Sequence, residues 1–384
     1  MPTIFTRGAA SARGFGLFGA AGPFVAGPGG LWSWGRNTFG ALGLGNTTYY
    51  SSPKQVGALT TWATVSGGTS FALAVKTDGT IWSWGRGTGG KLGHNNLTTY
   101  SSPKQIGALT TWSKVSAGGG TAPQSLALKT NGTLWSWGYN SYGQLGLGNI
   151  TNYSSPKQVG ALTTWATVST GDGFSLATTT SGALWAWGNN NTGQLGLGNT
   201  TNYSSPMQVG ALTTWSKVAA GPLSSFAIKT DGTLWSWGAN TNGVLGLGNI
   251  TVYSSPMQVG ALTTWATVTA GSSNFALAVK TDGTLWSWGY NNRGQLGLGN
   301  TLTKSSPNQV GALTNWSKVA ASRYGGAQSL ATTTSGALWA WGFNNNGQLG
   351  LGNLISYSSP KQVGGLTTWS AVSAGFYASL AIKS

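Results

Sequence analysis

Acidic residues and cysteine are the residue types that this sequence has least of. Its 384 residues include four Asp, no Glu and no Cys. Without cysteine the chain forms neither disulfides nor thiolate metal sites, which leaves both a reducing compartment and a secreted particle open. General acid–base catalysis needs a positioned His or carboxylate, and only His94 and the four Asp are present. We therefore expect no enzymatic activity, no cofactor and no metal site.

The few titratable candidates stand in sequence contexts that favour structural roles. Asp78, Asp231 and Asp282 each lie in the tetrapeptide TDGT between two apolar runs, where Asp-Gly supplies the backbone angles of a tight turn. Asp172, in TGDGF, is interpreted as a loop residue. His94 replaces the second leucine of the recurrent LGLGN, which indicates a surface variation rather than a ligand.

Charged residues are scarce overall, and most of them are basic. They make up 6% of the chain, and 20 Lys and Arg against four Asp give a formal charge of +16. Such a field attracts polyanions but does not determine a fold. No run of eighteen apolar residues occurs, so no membrane span is expected. Arg7 and Arg13 precede an apolar stretch that Gly and Pro interrupt, which does not favour a cleaved signal peptide.

Tryptophan is abundant, and it marks an internal repeat. The tetrapeptide W-[SA]-W-G occurs seven times, and a lone tryptophan in LTTW or LTNW also occurs seven times, which accounts for all 21 Trp. The first motif begins at Trp32, Trp82, Trp135, Trp185, Trp235, Trp286 and Trp339. The lone tryptophans are Trp62, Trp112, Trp165, Trp215, Trp265, Trp316 and Trp369. Successive copies begin 50 to 53 residues apart, and repeats with a period of this length predict a repeat architecture.

Each unit contains four short runs that predict β-strands. In the first full copy they are PKQVGAL (53–59), WATVS (62–66), FALAVK (71–76) and TIWSWG (80–85). Alternation places both tryptophans of TLWSWG on one face and leucine on the other, so each small sheet needs a neighbour on both sides. We predict an all-β, seven-bladed β-propeller of four-stranded blades over residues 31–384. LWSWG (31–35) and the final YASLAIKS would complete one blade from both termini.

The repeat also resembles a known family. WGYNSYGQLGLGN, the following SSPKQV, and WATVSTGDGFSLATT resemble the regulator of chromosome condensation repeat, in all seven copies over residues 31–384. The resemblance implies a seven-bladed propeller. Proteins with these repeats include nucleotide-exchange factors, chromatin binders, a β-lactamase inhibitory protein and other binding modules. Family units often carry a histidine after the glycine that opens the second strand, whereas this chain has Ser224, Asn274, Phe174 and Ala378 near that place. The resemblance also implies that nucleotide exchange depends on partly acidic loop surfaces, and this chain has four acidic residues.

Variation between copies indicates where binding would be placed. The loop between the first and second strands is three residues longer near 117–124 and 320–328, whereas its flanks hardly change. Loops on a rigid scaffold commonly carry binding residues, so Arg323, Tyr324, Phe376 and Tyr377 are the candidate contacts. The recurrent tryptophans are expected in the core. The recurrent lysines are expected on a solvated rim, without sequence-specific binding of nucleic acid.

Residues 1–30 form the part of the chain outside the repeats. TRGAASARGFG is basic and rich in small residues, and it resembles the openings of bacteriophage virion proteins, particularly tail or appendage proteins. Our hypothesis is a virion protein in which this leader, with Arg7 and Arg13, anchors to other virion proteins. The propeller would then bind a host-surface glycan or protein. The alternatives are a free bacterial or secreted binding module and, third, a nucleotide-exchange or chromatin factor.

Overall fold

Each repeat folds into an antiparallel four-stranded sheet, because its apolar and β-branched runs are separated by turns at Gly, Asn and Asp. The computed structural model describes residues 29–271 and 274–384. Arg7, Arg13 and the leader up to residue 28 lie outside the described residues.

The seven sheets are numbered as blades 1–7 in chain order, with the blade shared by both ends as blade 7. Blade 1 contains β3 (Trp62–Gly67), β4 (Phe71–Lys76), β5 (Ile81–Gly85) and β6 (Tyr100–Gln105). Blade 2 contains β7 (Trp112–Ala117), β8 (Gln124–Lys129), β9 (Leu134–Gly138) and β10 (Tyr153–Gln158). Blade 3 contains β11 (Trp165–Thr170), β12 (Phe174–Thr179), β13 (Leu184–Gly188) and β14 (Tyr203–Gln208). Blade 4 contains β15 (Trp215–Ala220), β16 (Ser224–Lys229), β17 (Leu234–Gly238) and β18 (Tyr253–Gln258).

Blade 5 contains β19 (Trp265–Gly271), β20 (Phe275–Lys280), β21 (Leu285–Gly289) and β22 (Lys304–Gln309). Blade 6 contains β23 (Trp316–Ala321), β24 (Gln328–Thr333), β25 (Leu338–Gly342) and β26 (Tyr357–Gln362). Blade 7 contains β27 (Trp369–Ala374), β28 (Ala378–Lys383), β1 (Gly30–Gly35) and β2 (Tyr50–Gln55). Short 3-10 turns occur at Thr38–Gly40, Thr88–Gly90 and Thr241–Gly243. The predicted all-β propeller is confirmed.

The first strand of every blade lines a central channel. These strands contact their counterparts in the neighbouring blades all the way around the ring, from β3 and β7 to β27 and β3. The fourth strand lies at the outer edge of each blade, and the bounds predicted for it from the sequence were wrong. The fourth strand of blade 7 runs over Tyr50–Gln55 rather than 53–59. It begins before Pro53 because an edge strand accommodates a residue that has no N–H to donate, and it ends before Gly57, whose φ of +62° is not that of an extended strand.

Blade 7 closes the ring with strands from both ends of the described chain. β1 lies between β28 and β2, and it pairs with β28 in six consecutive positions, from Gly30 opposite Lys383 to Gly35 opposite Ala378. Gly29 also exchanges backbone hydrogen bonds with Trp62 of blade 1. The propeller therefore includes Gly29 and Gly30, which the sequence interpretation had assigned to the leader.

The tryptophans form the core, as predicted. In every blade the lone tryptophan packs against both tryptophans of W-[SA]-W-G, mostly edge to face, as Trp62 does against Trp82 and Trp84 at 6.0 and 6.1 Å between ring centroids. Trp84 is fully buried, and its indole N–H donates to the carbonyl of Ala41 in blade 7. Each blade is thus bonded to its neighbour through the same side chain that fills its core.

Candidate binding surface on the loop face

The two faces of the disc carry different connections. At one end of the channel lie the loops between first and second strands and the loops that follow third strands, and we call this end the loop face. The opposite end carries the turns between second and third strands, and we call it the turn face. No helix within the described part of the chain is long and apolar enough to cross a membrane.

Three of the predicted contact residues meet on the loop face. The Tyr324 ring lies 5.7 Å from Phe376, which in turn lies 4.3 Å from Tyr377. Phe343, in the loop after β25, lies 5.6 Å from Tyr377. We call these four residues the aromatic cluster. It crosses the junction between blades 6 and 7, so it is assembled by the packing of two blades that are consecutive in the chain.

Two arginines that the sequence analysis did not single out extend this cluster. The Arg36 guanidinium lies 5.1 Å from the centroid of Phe376 and 5.9 Å from that of Tyr377. Arg293 lies 5.1 Å from the centroid of Phe343. Cations over aromatic faces are stabilised by the ring quadrupole. Sequence variation could have identified both, because each occupies a position that differs from copy to copy in the loop after W-G.

Tyr377 is held in an unusual backbone conformation. Its φ of 52° lies in the left-handed region, which costs a residue with a side chain about 1 kcal/mol or more. The carbonyl of Tyr377 accepts a hydrogen bond from the amide of Arg36, and the carbonyl of Gly173 accepts the corresponding bond from the amide of Asn189. Gly173 is therefore the equivalent residue of blade 3. A tyrosine at this position adds ring surface to the loop face where glycine would be less strained.

Arg323 has a different role from the three aromatic candidates. It is half-buried, and its guanidinium donates to the carbonyl of Thr170 in blade 3, so it crosses the mouth of the channel from blade 6. Burial lowers the pKa of Arg323 to about 10. It helps to line a small cavity of about 170 Å³ at this mouth, together with Asp172 and Tyr324. Arg323 therefore closes the channel mouth and is not a freely exposed contact.

Asp172 lies at the same mouth. Burial raises the pKa of its carboxyl group, while a backbone hydrogen bond from Thr121 acts in the opposite direction. The carboxylate packs directly over Gly120, whose φ is +77°, and a Cβ at that position would lie 1.5 Å from Asp172 Oδ1. Asp172 is a loop residue, as predicted, with a defined place in the packing of the long loop of blade 2.

The remaining titratable candidates have structural roles. Asp78, Asp231 and Asp282 each accept hydrogen bonds from the threonine two residues later, as Asp78 does from the Thr80 amide at 2.9 Å. His94 is half-buried, with its Nε2 2.9 Å from Ser83 Oγ. Burial, followed by the charge of Lys104, lowers its pKa to about 4. Across residues 29–271 and 274–384, no three His, Cys, Asp or Glu are close enough to hold a metal ion.

The lysines do not all lie on the rim. Those of the fourth strands, such as Lys54 and Lys157, are exposed, as predicted. Lys76 and Lys280 are buried over tryptophan, each with Nζ 3.6 Å from a ring centroid. Lys114 and Lys217 lie on the channel-lining strands, so the rim prediction was wrong for them. These two lysines lie at the channel because the first strand of each blade is the innermost one. The repeat pattern alone did not specify which strand would be innermost.

The loop face is uneven around the ring. Aromatic and arginine side chains follow the third strands of blades 5, 6, 7, 1 and 2, namely Tyr290, Phe343, Arg36, Arg86 and Tyr139. The equivalent residues of blades 3 and 4 are Asn189 and Ala239. A partner that recognises aromatic and cationic groups would therefore dock off-centre, over the aromatic cluster.

Comparison with known proteins agrees with the architecture. A family model described as the RCC1-like domain matches residues 24–274. Models for the regulator of chromosome condensation (RCC1) repeat match residues 265–295, 282–327 and 335–382. Human WBSCR16 has a similar structure, with a TM-score of 0.81 and 22% identity over 92% of this chain and 98% of that one. Yeast RCC1 (Prp20), solved with Kap60, has a TM-score of 0.81 and 20% identity over 100% and 97%.

Curated relatives match over short stretches. Protein RCC2 of Mus musculus is 43% identical over 89 residues, which are 23% of this chain and 17% of that protein. The ultraviolet-B receptor UVR8 of Arabidopsis thaliana is 38% identical over 91 residues, 24% of this chain and 20% of that protein. The matched region thus spans a fifth or less of these relatives.

Proposed function

The chain belongs to the family of RCC1-like domains, and from that premise we propose that it is a non-enzymatic display protein of a bacteriophage particle. In this proposal the loop face binds a protein or glycan on the host surface, and the leader holds the disc to other virion proteins. The observation that carries the proposal is the aromatic cluster, which is concentrated in one sector of the loop face.

The position of Gly29 supports a division between anchoring and display. β1 runs from the turn face, where Gly30 pairs with Lys383, to the loop face, where Gly35 pairs with Ala378. The chain therefore enters the disc on the face opposite the aromatic cluster. A tether attached through the preceding residues, including Arg7 and Arg13, would leave the loop face directed away from the attachment point.

The chemistry of the cluster favours binding over catalysis. Aromatic and arginine side chains are enriched at the centres of protein interfaces, and aromatic rings also stack on sugars. Asp172 is the one acid among the described residues of the loop face, and it is packed against Gly120. This scarcity of acid does not favour the third alternative, a nucleotide-exchange or chromatin factor. A free bacterial or secreted binding module would use the same cluster without a particle.

The test is attachment of the purified full chain to host cells. We expect a triple variant with Tyr324→Ser, Phe376→Ser and Tyr377→Gly to lose most attachment, at least about tenfold in affinity, with little change in melting temperature. A matched control replaces three exposed leucines outside the aromatic cluster with Ser, namely Leu97, Leu302 and Leu354 in the loops between third and fourth strands. Equal attachment by the triple variant and the control would contradict the assignment of the cluster.

The anchoring role of the leader is tested separately. Removal of residues 1–28 should leave the melting temperature unchanged and abolish incorporation into particles. Incorporation at the level of the full chain would contradict the virion proposal. Host attachment by the truncated protein without any incorporation of the full chain would instead favour the free binding module.

A further inference from the structure

The channel carries an alternating set of side chains near the turn face. The third residue of each first strand is Thr64, Lys114, Thr167, Lys217, Thr267, Lys318 or Ala371 in blades 1–7. Lysine thus alternates with threonine around most of the ring. Because the strands converge on the channel, lysines that are about a hundred residues apart in sequence are brought to the same level of the same channel.

Lys114 and Lys217 line one cavity. Its volume is about 570 Å³, and first-strand residues of blades 2, 3, 4 and 5 contribute to it, including Ala166 and Ala266. Lys114 Nζ donates to the carbonyl of Ala166 at 2.7 Å, and Lys217 Nζ donates to that of Ala266. Each ammonium group is therefore fixed by the neighbouring blade. A lysine ammonium has three donors, so further N–H groups are left for a ligand.

The cationic charge at this level is poorly balanced by acid. Burial lowers the pKa of Lys114, and burial followed by the charge of Lys318 lowers that of Lys217. Lys229 and Asp231 also line the cavity. The Asp231 carboxylate is engaged by the Thr233 amide and hydroxyl at 2.9 and 2.7 Å. Asp172 lies at the opposite mouth, and Asp78 and Asp282 lie beside Lys76 and Lys280 in other turns.

We propose that this cavity binds a compact multivalent anion of the phosphate class through the ammonium groups of Lys114 and Lys217. The cavity is within the size range of small-ligand sites, and two fixed ammonium groups inside a partly desolvated channel interact with an anion more strongly than exposed lysines do. An anion would also offset the repulsion between the lysines that share the channel. This site is separate from the aromatic cluster, which lies on the opposite face.

The test is titration of the full chain with sodium tripolyphosphate, followed by calorimetry at about 150 mM salt. The channel variant carries Lys114→Thr and Lys217→Thr, which introduces the residue that blades 1, 3 and 5 already have at this position. The control variant carries Lys54→Thr and Lys157→Thr on exposed outer strands, so both variants lose the same net charge. We expect the channel variant to bind at least about tenfold more weakly than the wild type, and the control variant to bind within about twofold of it.

Absence of tripolyphosphate binding by the wild type would overturn the proposal. An equal loss of affinity in the channel and control variants would also overturn it, because it would indicate diffuse attraction by the net charge. A parallel titration with ATP distinguishes a site for the phosphate chain from a nucleoside site. Comparable affinity for both ligands supports the proposal, and binding of ATP alone overturns it. The single variants Lys114→Thr and Lys217→Thr, each expected to weaken binding, repeat the test with less change to the channel should the double variant fail to fold.

Discussion

The free-energy cost of holding a charged lysine differs widely between sites in this protein, and among the described lysines it is highest at Lys91. Lys91 is 3% exposed, and burial, followed by the charge of Arg86, lowers its pKa to about 7. Most other blades have glutamine at this position, and Gln144 of blade 2 uses its amide to bond the Ala122 carbonyl and the Tyr142 amide. One blade has therefore replaced a bonded neutral side chain with a buried cation.

We expect Lys91→Gln to stabilise the protein, by about 2–4 kcal/mol at pH 6. The pKa of Lys91 is lowered from 10.5 to about 7 on folding, so the unfolded chain binds the proton more strongly. The resulting destabilisation is complete below about pH 7 and is lost as the pH rises toward 10.5. The gain of the variant should shrink over the same interval. Chemical denaturation at several pH values measures it, with Lys54→Gln as an exposed control, and a gain independent of pH would contradict this explanation.

At the scale of elements, the seam between β1 and β28 joins the ends of the ring. β28 lies between β27 and β1, so it satisfies the backbone groups of both strands. Leu380 and Ile382 of β28 also pack against Trp62, Val65 and other residues of blade 1. The strand thus contributes to the pairing within blade 7 and to the interface with its neighbour.

Deletion of residues 377–384 should therefore cause loss of the folded ring rather than local fraying. The deletion removes β28, which leaves β27 without its strand partner and β1 paired with β2 alone, so backbone groups and apolar side chains are exposed. Thermal unfolding followed by circular dichroism measures the effect, and we expect a fall in melting temperature of more than about 10 °C. A truncated chain that melts like the full one would contradict the idea that the pairing of β1 with β28 holds the ring closed.

The elements and the binding surface were predictable to different degrees. Three of the four strands of each unit followed from runs such as FALAVK and WATVS, because buried strands are marked by apolar and β-branched residues. The outer strand was misplaced because an exposed edge gives a weaker pattern. Tyr324, Phe376 and Tyr377 were found from loop variation. The contact of Arg36 with Phe376 and Tyr377 required ring closure, which brings residues more than 300 positions apart together.

For the whole molecule, the net charge of +16 is distributed over several surfaces and interior sites. Exposed lysines lie on outer strands, others cover tryptophans, and Lys114 and Lys217 lie in the channel. Within the described residues, the exposed lysines of the outer strands, such as Lys54, Lys104 and Lys157, belong to different blades and do not form one continuous track for a phosphate backbone. Electrostatic attraction without such a track is weak and strongly screened by salt.

We therefore expect duplex DNA to bind weakly and without sequence preference. The logarithm of affinity falls with the logarithm of salt concentration by about 0.9 per phosphate neutralised, so the slope reports the number of lysines engaged together. Fluorescence anisotropy with a labelled duplex over a salt series measures both quantities. Tight binding with a steep slope that survives Tyr324→Ser, Phe376→Ser and Tyr377→Gly would favour a nucleic-acid-binding protein over display.

The hydrogen bonds at the blade 7 seam show how closely residue 384 approaches residue 29 in the ring. Ser384 donates to the Thr368 carbonyl as Thr77 does to that of Thr61, and Gly29 accepts from the Trp62 amide as Gly79 accepts from that of Trp112. Ser384 and Gly29 thus occupy the first and third places of a TDGT turn, and the second place, aspartate in blade 1, is the gap between them. One inserted aspartate would link residue 384 to residue 29 and make the backbone of residues 29–384 circular. New ends could then be opened between any two blades, and the fold of a circular permutant would not depend on which blade comes first.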